Sequence, residues 1–283
     1  MGDPSYQHLA PAYDLLQQDL APSAWADYIQ KLEARFSLRC GAGDGQDGRT
    51  LLLDLGCGTG SISLEMLRRG YDIIGIDVAA GMLEQAKSKA ARMRADDDAS
   101  LPEPLFLQQD ISQFELYGTV DLIVCLLDTI NHLVRPDRAA RLFRLCANYL
   151  NPGGLLVFDL ASRRHLSRTL GNRQFFQIYE NHTLIWHNRY RPASQISRSE
   201  MVLFTRRTDG CYERQDIAIA EKYYSPKQVR QWSRAAGLQL IDPASGSPED
   251  SRTAIPPPAP AAERRFYIAR KPQANEGLSY ESE

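Results

Sequence analysis

Apolar and polar positions along the chain repeat with two periods, one typical of strands and one typical of helices. Short apolar runs predict strands, at residues 50–55, 71–77, 105–110, 120–127 and 155–160. Segments with apolar residues at helical spacing predict amphipathic helices between them, at residues 61–69, 79–94 and 135–150. The run at 120–127 is continuously apolar, which is typical of a parallel strand covered on both faces. Strands that alternate with helices predict an α/β protein with a mostly parallel sheet.

The segment before the first strand has a different pattern. Aromatic and aliphatic side chains recur at roughly helical spacing over residues 4–39 and predict two short helices. Residues 40–49 contain four glycines and no large apolar side chain, so we expect a flexible connector there. Residues 1–49 are therefore interpreted as an N-terminal helical segment with its linker.

From residue 174 onward, strand follows strand. Four strands are predicted, at residues 175–180, 183–190, 200–208 and 211–221, and Asp209-Gly210 predicts a tight hairpin between the last two. Antiparallel strands inserted after the fifth strand cannot belong to a parallel sheet. We therefore expect residues 174–221 to form a small antiparallel cap over the mouth of the site.

The remaining residues are predicted to complete the sheet. Ser225-Pro226 begins a last helix, residues 238–241 form a strand, and residues 265–270 return as an edge strand. Residues 242–262 are rich in proline and small polar residues, which predicts a mobile excursion. The tail at 272–283 is predicted to be disordered.

A glycine-rich turn follows the first strand and carries the strongest chemical signal. The stretch reads Asp54-Leu55-Gly56-Cys57-Gly58-Thr59-Gly60 and leads into a predicted helix. Glycines there let a ligand approach the backbone N–H groups, because no Cβ stands in the way. Asp77 ends the second strand, 21 positions after Gly56. A carboxylate at about 20 residues from such a turn meets the ribose hydroxyls of a nucleotide cofactor.

The glycine spacing distinguishes between cofactors. Dinucleotide-binding turns have the spacing G-x-G-x-x-G and face a pyrophosphate. This turn has the spacing G-x-G-x-G, and Asp54 stands two residues before its first glycine. A carboxylate at that place would repel a pyrophosphate but could hold an ammonium, directly or through water. The turn therefore favours S-adenosylmethionine, which has an α-amino group and no phosphate.

The motif from Asp54 to Gly60 resembles the first motif of class I S-adenosylmethionine-dependent methyltransferases, and the order of elements over residues 50–271 is similar to their fold. The resemblance implies a Rossmann-like, seven-stranded, mostly parallel sheet with helices on both faces and the antiparallel cap after the fifth strand.

Three further stretches and the cap look most like a bacterial small-molecule branch akin to the glycine and sarcosine N-methyltransferases. The stretches are Asp128-Thr129-Ile130-Asn131-His132-Leu133, Pro152-Gly153-Gly154 and Phe158-Asp159. Relatives tend to have histidine in place of Ile219 and arginine in place of Lys222, so no acceptor is carried over from them.

The resemblance also implies cofactor contacts. It places Tyr13 near the methionine end of S-adenosylmethionine, Val78 and Met82 beside the adenine, and Asp110 at the adenine amino group with the backbone N–H of Ile111. The predicted cofactor-binding residues are Tyr13, Asp54, Gly56, Cys57, Gly58, Gly60, Asp77, Val78, Met82, Asp110, Ile111 and Leu126.

Methyl transfer from a sulfonium is an in-line displacement with an activated donor, so the protein mainly supplies alignment and excludes water. A general base is needed only if the acceptor arrives protonated. The loop after the fourth strand should line the acceptor pocket. Asp128 and His132 are the predicted catalytic residues in this loop, with Asp128 facing the methyl group. Glu180, His182 and His187 are further candidates from the cap.

Composition narrows the range of partners. With 33 basic and 35 acidic side chains the net charge is −2, so no global field draws the protein to nucleic acid or to an anionic membrane. Five scattered cysteines without C-x-x-C spacing argue against a disulfide framework and a zinc site, and no metal is predicted. We find no signal-peptide pattern and no apolar run of about 18 residues, so we expect a soluble, cytoplasmic protein.

The sequence thus predicts an S-adenosylmethionine-dependent methyltransferase that acts on N or O of a small molecule. Two alternatives stay open. An RNA methyltransferase would use a basic surface, for which Arg135, Arg138, Arg141 and Arg144 offer a stripe. The other alternative is a non-catalytic regulator that binds S-adenosylmethionine. A dehydrogenase is disfavoured by the glycine spacing and by Asp54. The acceptor and the oligomeric state are left open.

Overall fold

The computed structural model describes residues 5–38, 43–96, 99–241, 255, 257–258 and 263–273. Two helices come first, α1 (Ser5–Leu16) and α2 (Pro22–Phe36). The alternating part of the chain then contains β1 (Leu51–Leu55), α3 (Ser61–Arg68), β2 (Asp72–Asp77), α4 (Ala80–Asp96), β3 (Leu105–Gln108), β4 (Val120–Cys125), α5 (Pro136–Tyr149) and β5 (Leu150–Ala161). The later part contains β6 (Gln174–Ile178), β7 (His182–Arg191), β8 (Ile196–Arg206), β9 (Tyr212–Lys222), α6 (Pro226–Ala235), β10 (Gln239–Ile241) and β11 (Arg264–Arg270).

The main sheet has seven strands in the order β10-β11-β5-β4-β1-β2-β3. Strands β1 to β5 are parallel, and β11 is antiparallel to both β5 and β10. This architecture confirms the predicted Rossmann-like, mostly parallel sheet. Because the central strands are parallel, their carboxyl ends meet at one edge, and this edge is where open α/β sheets bind ligands.

Helices cover both faces of this sheet, and successive strand residues contribute to opposite faces. Leu52 packs in the core beneath α2, α3 and α4, whereas Leu53 packs in the core beneath α5 and α6. Both side chains are fully buried. The continuously apolar β4 divides its residues in the same way, with Ile123 on one face and Val124 on the other.

Two strand predictions need correction. The strand at residues 265–270 was expected at the edge, but β11 lies inside the sheet between β5 and β10. It is internal because the last two strands enter as an antiparallel pair whose second member bonds to β5, and its Ile268 and Ala269 are fully buried. The strand predicted at residues 155–160 is longer than expected: β5 begins at Leu150 and pairs with β4 through a register shift.

The predicted cap is confirmed as a separate antiparallel sheet in the order β6-β7-β8-β9. The hairpin between β8 and β9 turns at Gly210, whose φ of 82° is a conformation that glycine adopts without strain. The inner face of the cap packs on α1: Leu203, Ile217 and Ile219 share a buried core with Leu9 and Ala12. Helix α1 is thus held between the cap and the main domain, where it also contacts α4.

Some expectations fall on residues outside the description. The excursion at 242–262 lies outside it except for residues 255 and 257–258, as does the tail beyond residue 273. The described part of the connector contains a short helical turn, Gln46–Gly48, and the Asp44 N–H donates to Asp121 at 2.8 Å. No helix among the described residues is both long enough and apolar enough to cross a membrane.

Candidate active site

A cavity of about 410 Å³ lies at the carboxyl ends of the central parallel strands, beneath α1. All of the predicted cofactor-binding residues line it except Gly60. Gly60 serves packing instead: a Cβ there would lie 3.1 Å from the Cβ of Ala86 and 3.4 Å from the ring of Phe106. Gly60 is therefore a packing residue in the structure, and the assignment of the rest of the turn to a cofactor stays a prediction.

The glycine turn is held open by the neighbouring strand. Gly56 and Gly58 have φ values of 74° and 54°, which glycine adopts without strain. The Gly56 and Cys57 N–H groups donate to the carbonyl of Ile76 at 2.7 and 3.0 Å. A Cβ on Gly56 would lie only 2.4 Å from Cγ2 of Thr129. Glycine is required at this position both by the backbone and by the close approach of the turn after β4.

Asp77 is oriented by backbone donors. Its Oδ2 accepts from the Gly58 N–H and its Oδ1 from the Ala79 N–H, both at 2.9 Å. Burial raises the pKa of Asp77 even though these N–H groups oppose the shift. The carboxylate therefore stands in the cavity wall at the end of β2, in a fixed orientation that suits a vicinal diol.

Asp54 is a buried carboxyl group on the opposite side of the glycine turn. It accepts a hydrogen bond from the hydroxyl of Ser63. The pKa of Asp54 is raised to about 6: burial is the largest cause and the charge of Asp77 adds to the rise, while the hydrogen bond from Ser63 opposes it. A cation placed beside Asp54 would restore the ionised form, so this end of the cavity favours an ammonium.

Asp110 and Ile111 follow β3 and close the far end of the cavity. Asp110 accepts from the N–H and the hydroxyl of Ser112, at 2.9 and 2.8 Å, and pairs with Arg138. Burial alone would raise the pKa of Asp110, but these donors and the guanidinium charge outweigh it and lower the pKa. Arg138, predicted as part of a basic stripe, is thus a cavity residue paired with an acid.

Helix α1 contributes side chains that the sequence did not assign, besides the predicted Tyr13. Asp14 accepts from the hydroxyl of Thr59 and pairs with Lys89 of α4 at 2.9 Å. These contacts bind α1 to the glycine turn and to α4. Tyr6 lies on the same face of α1 as Tyr13, which comes seven residues later. This spacing is the signal that could have identified Tyr6 from the sequence.

Tyr6 and His132 meet at the end of the cavity that the turn after β4 lines. The hydroxyl of Tyr6 lies 3.0 Å from Nε2 of His132, and the rings are edge to face with centroids 5.4 Å apart. The tautomer of the imidazole decides which of the two groups donates this hydrogen bond. Burial raises the pKa of Tyr6 well above its usual value. The predicted catalytic His132 therefore lines the cavity, with its Nε2 hydrogen-bonded to Tyr6.

The expectation for Asp128 is not met. Its carboxylate does not line the cavity but pairs with Arg264 of β11, Oδ2 to Nη1, at 2.9 Å. The reason is local backbone geometry: Leu127 and Asp128 have φ values of 58° and 63°, which direct the Asp128 side chain toward β5 and β11. Burial raises the pKa of Asp128 well above its usual value.

The three cap candidates are also absent from the cavity wall. Glu180, His182 and His187 do not line the cavity, and the cap contributes Ala220 of β9 instead. Sequence reasoning could not make this choice because the register of β9 against the turn after β4 depends on a contact across 91 positions. In that contact the side-chain amide of Asn131 donates to the carbonyl of Lys222 at 2.7 Å.

Comparisons with known proteins agree with this geometry. Residues 52–154 match the family model described as a methyltransferase domain. A protein of Geobacillus sp. (strain WCH70), named a candidate methyltransferase, is 25% identical over 267 residues, which cover 94% of this chain and 100% of the relative.

Two solved structures share the fold. A S-adenosylmethionine-dependent methyltransferase from Clostridium acetobutylicum ATCC 824 has a TM-score of 0.73 and 24% identity, covering 94% of this chain and 99% of that one. An amino pentose methyltransferase from Micromonospora echinaspora, solved with S-adenosylmethionine bound, has a TM-score of 0.63 and 17% identity, covering 92% and 96%.

The fold is that of the class I S-adenosylmethionine-dependent methyltransferases. Within this fold, residues 52–154 match the methyltransferase domain model, and the candidate cavity lies at the carboxyl-terminal edge of the parallel strands.

Proposed function

We propose that this protein transfers the methyl group of S-adenosylmethionine to a nitrogen or oxygen of a small molecule. One observation carries the proposal: a single cavity joins Asp54, Gly58 and Asp77 on one side to Tyr6 and His132 on the other. The first three residues suit the cofactor, and the last two suit an acceptor that must lose a proton.

The cavity residues fit S-adenosylmethionine in several independent ways. Asp77 would accept from the ribose hydroxyls, and Asp54 would hold the α-ammonium directly or through water. At Gly58 the space that a Cβ would take is open, with Cε1 of Tyr13 3.8 Å away as its nearest neighbour, and this lets the cofactor approach the backbone. The remaining assignments place Val78, Met82, Asp110 and Ile111 around the adenine, with Tyr13, Cys57 and Leu126 along the methionine part.

Bound S-adenosylmethionine supplies a methyl group that its sulfonium already activates. The chain then has to align the acceptor and exclude water. Helix α1 and strand β9 contribute to the cavity wall from above. We assign His132 as the general base: its Nε2 takes the proton of an acceptor hydroxyl or ammonium. The acceptor group would compete with the hydroxyl of Tyr6 for the hydrogen bond to that nitrogen. Asp128 is assigned to the support of this turn.

A small acceptor is favoured over RNA by the charges at the site. Arg138 is paired with Asp110, and Arg135 is paired with Asp137, so two members of the predicted basic stripe have acidic partners. One protein that shares the fold is an amino pentose methyltransferase, whose acceptor is a small molecule. The finer resemblance to glycine and sarcosine N-methyltransferases, drawn from the stretches 128–133, 152–154 and 158–159 and from the cap, stays a prediction.

The test is a transfer assay with methyl-labelled S-adenosylmethionine and a cell extract separated into small-molecule, RNA and protein fractions. Asp77→Ala is the matched control that should not bind the cofactor. We expect label in the small-molecule fraction with the wild-type chain only. Label in RNA alone would overturn the acceptor class. Cofactor binding in a titration, with no label in any fraction, would favour the non-catalytic regulator.

A further inference from the structure

Arg264 lies outside the cavity wall, yet it bridges two acids behind it. Its Nη1 is 2.9 Å from Oδ2 of Asp128 and 3.0 Å from Oδ2 of Asp159. Asp159 is fully buried and Asp128 is 7% exposed. Arg264 begins β11, which pairs with β5 so that Arg264 is opposite Ala161. A charged bridge therefore connects the last strand of the chain to the turn after β4.

The bridge holds an unusual piece of backbone. Leu127 and Asp128 are consecutive residues with left-handed φ values of 58° and 63°. Residues with side chains keep such conformations only where the surroundings determine them. Oδ2 of Asp159 accepts the Asp128 N–H at 3.2 Å, and the same oxygen accepts from Arg264. The guanidinium therefore fixes both the side chain of Asp128 and the group that binds its backbone.

The same turn forms the acceptor end of the cavity. Leu127, Thr129 and His132 line the cavity, and Thr129 also packs against Gly56 of the glycine turn. On its other side the turn is fastened by Asn131, whose Oδ1 accepts the Ala161 N–H at 2.9 Å. A change in the backbone at residues 127 and 128 would therefore move His132 relative to the cofactor pocket.

Charge makes Arg264 the sensitive part of this support. Two buried carboxyl groups share one guanidinium, and burial raises the pKa of both. Without the guanidinium that both acids contact, the two ionised carboxylates would repel each other, so one of them would have to take a proton. The other ionisable groups around the bridge are Tyr6 and Tyr13 of α1, Tyr28 of α2, Cys125 of β4, His165 after β5, Glu221 of β9 and Glu263 before β11.

We propose that Arg264 is a positioning residue for the acceptor side: by bridging Asp128 and Asp159 it holds the turn after β4 in the left-handed conformation that presents His132 to the cavity. The proposal concerns the geometry of the turn and goes beyond the proposed function. It can be tested without knowing the acceptor.

The experiment compares Arg264→Met with the double variant Arg264→Met/Asp128→Asn in the full chain, with Asp128→Asn alone as the matched control. Hydrogen exchange is measured at pH 6 and pH 8 for residues 126–133 and, as an internal reference, for β1 and β2. For Arg264→Met we expect at least about tenfold faster exchange in the turn and unchanged exchange in the two strands.

The pH dependence separates positioning from packing. In Arg264→Met the turn should be less protected at pH 8 than at pH 6, relative to the strands, because the unpaired acids ionise as the pH rises. The double variant has one carboxylate at this place, so it should lose most of that pH dependence. The wild-type chain should show none.

Two results would overturn the proposal. One is equal loss of protection in the turn and in β1 and β2, which would make Arg264 a general packing residue. The other is wild-type protection of the turn in Arg264→Met at both pH values. If that variant does not fold, Arg264→Gln, which also removes the cation, carries the same comparison between turn and strands. Titration of the wild-type chain with S-adenosylmethionine reports separately on the proposed function.

Discussion

The two ends of the cavity contain similar residue types but are built in different ways. Most of the proposed cofactor end comes from residues at or directly after the ends of β1, β2 and β3, within residues 54–111, and Tyr13 of α1 and Leu126 after β4 complete it. The proposed acceptor end combines Tyr6 of α1, the turn at 127–133 and Ala220 of β9, with Arg264 of β11 behind them. One end is mostly local in sequence, and the other is assembled across almost the whole chain.

Asp77 and Asp128 show what this difference means. Each acid follows a parallel strand, and the sequence predicted that both would face the cavity. Asp77 does so because nearby N–H groups of Gly58 and Ala79 hold it. Asp128 is turned away, since a guanidinium 136 positions later in the chain competes for it. An acid that follows a parallel strand can therefore be predicted to face the cavity only where the groups that bind its side chain are also nearby in sequence.

The largest effect should come from the cofactor end. We expect Asp77→Ala to weaken binding of S-adenosylmethionine by about a hundredfold or more, because each hydrogen bond to a charged group contributes about 1.5–3 kcal/mol. Calorimetric titration measures the loss, and circular dichroism checks that the variant is folded. Asp209→Ala, at an exposed hairpin of the cap, is the control and should bind normally. Near-wild-type affinity of Asp77→Ala would remove the ribose assignment.

At the acceptor end, His132→Gln should slow turnover by about a hundredfold, as loss of a general base does. Cofactor affinity should stay within about twofold, because His132 belongs to the other end of the cavity. Steady-state kinetics with the acceptor found in the labelling assay, together with a cofactor titration, measure both quantities. Tyr6→Phe removes only the hydrogen bond to Nε2, so it should slow turnover less than His132→Gln does. Unchanged turnover in His132→Gln would mean that no base acts here.

The smallest effect concerns pH. The pKa of Asp54 is raised to about 6 by burial, and a bound ammonium favours its ionised form. Binding of S-adenosylmethionine should therefore release a proton below pH 6, and affinity should fall by about tenfold between pH 7 and pH 5. Titrations across this range measure the slope. Asp54→Asn should bind more weakly at pH 7 and show a flat profile, whereas a slope preserved in that variant would assign it to another group.

The same raised pKa affects the stability of the cofactor-free protein. Because the pKa of Asp54 is higher in the folded chain than the usual value for aspartate, its contribution to stability is fully present below about pH 4. That contribution is lost as the pH rises through about 6. At neutral pH the buried, ionised carboxylate of Asp54 therefore lowers the stability of the cofactor-free protein, and a bound cation would offset its charge.

Much of the fold could be read from periodicity alone. The continuous apolar run of β4 and the glycines at 56, 58 and 60 required only neighbours in sequence to be interpreted. The place of β11 could not be read in this way. Nothing in the stretch 264–270 distinguishes an edge strand from one that is bonded on both sides, because that outcome depends on β10, more than twenty residues earlier.

The candidate site shows the same difference between residues with local partners and residues with distant ones. Gly56, Cys57 and Gly58 of the glycine turn line the cavity, because the spacing of glycines determines where the backbone of the turn is accessible. Gly60 was the exception, since its neighbours Ala86 and Phe106 come from other elements. Tyr6, Arg138 and Arg264 were missed because each is defined by a partner distant in the chain, namely His132, Asp110 and Asp128.

The position of β11 also bears on the order in which the molecule is completed during synthesis. Strands β1 to β4 leave the ribosome well before β11, so the glycine turn can form while β5 still has an open edge. Until Arg264 is synthesised, Asp128 and Asp159 have no guanidinium to pair with. The arrival of Arg264 closes that edge and brings the one positive charge that the two acids share. A nascent chain would thus acquire a cofactor pocket first and a finished acceptor side last.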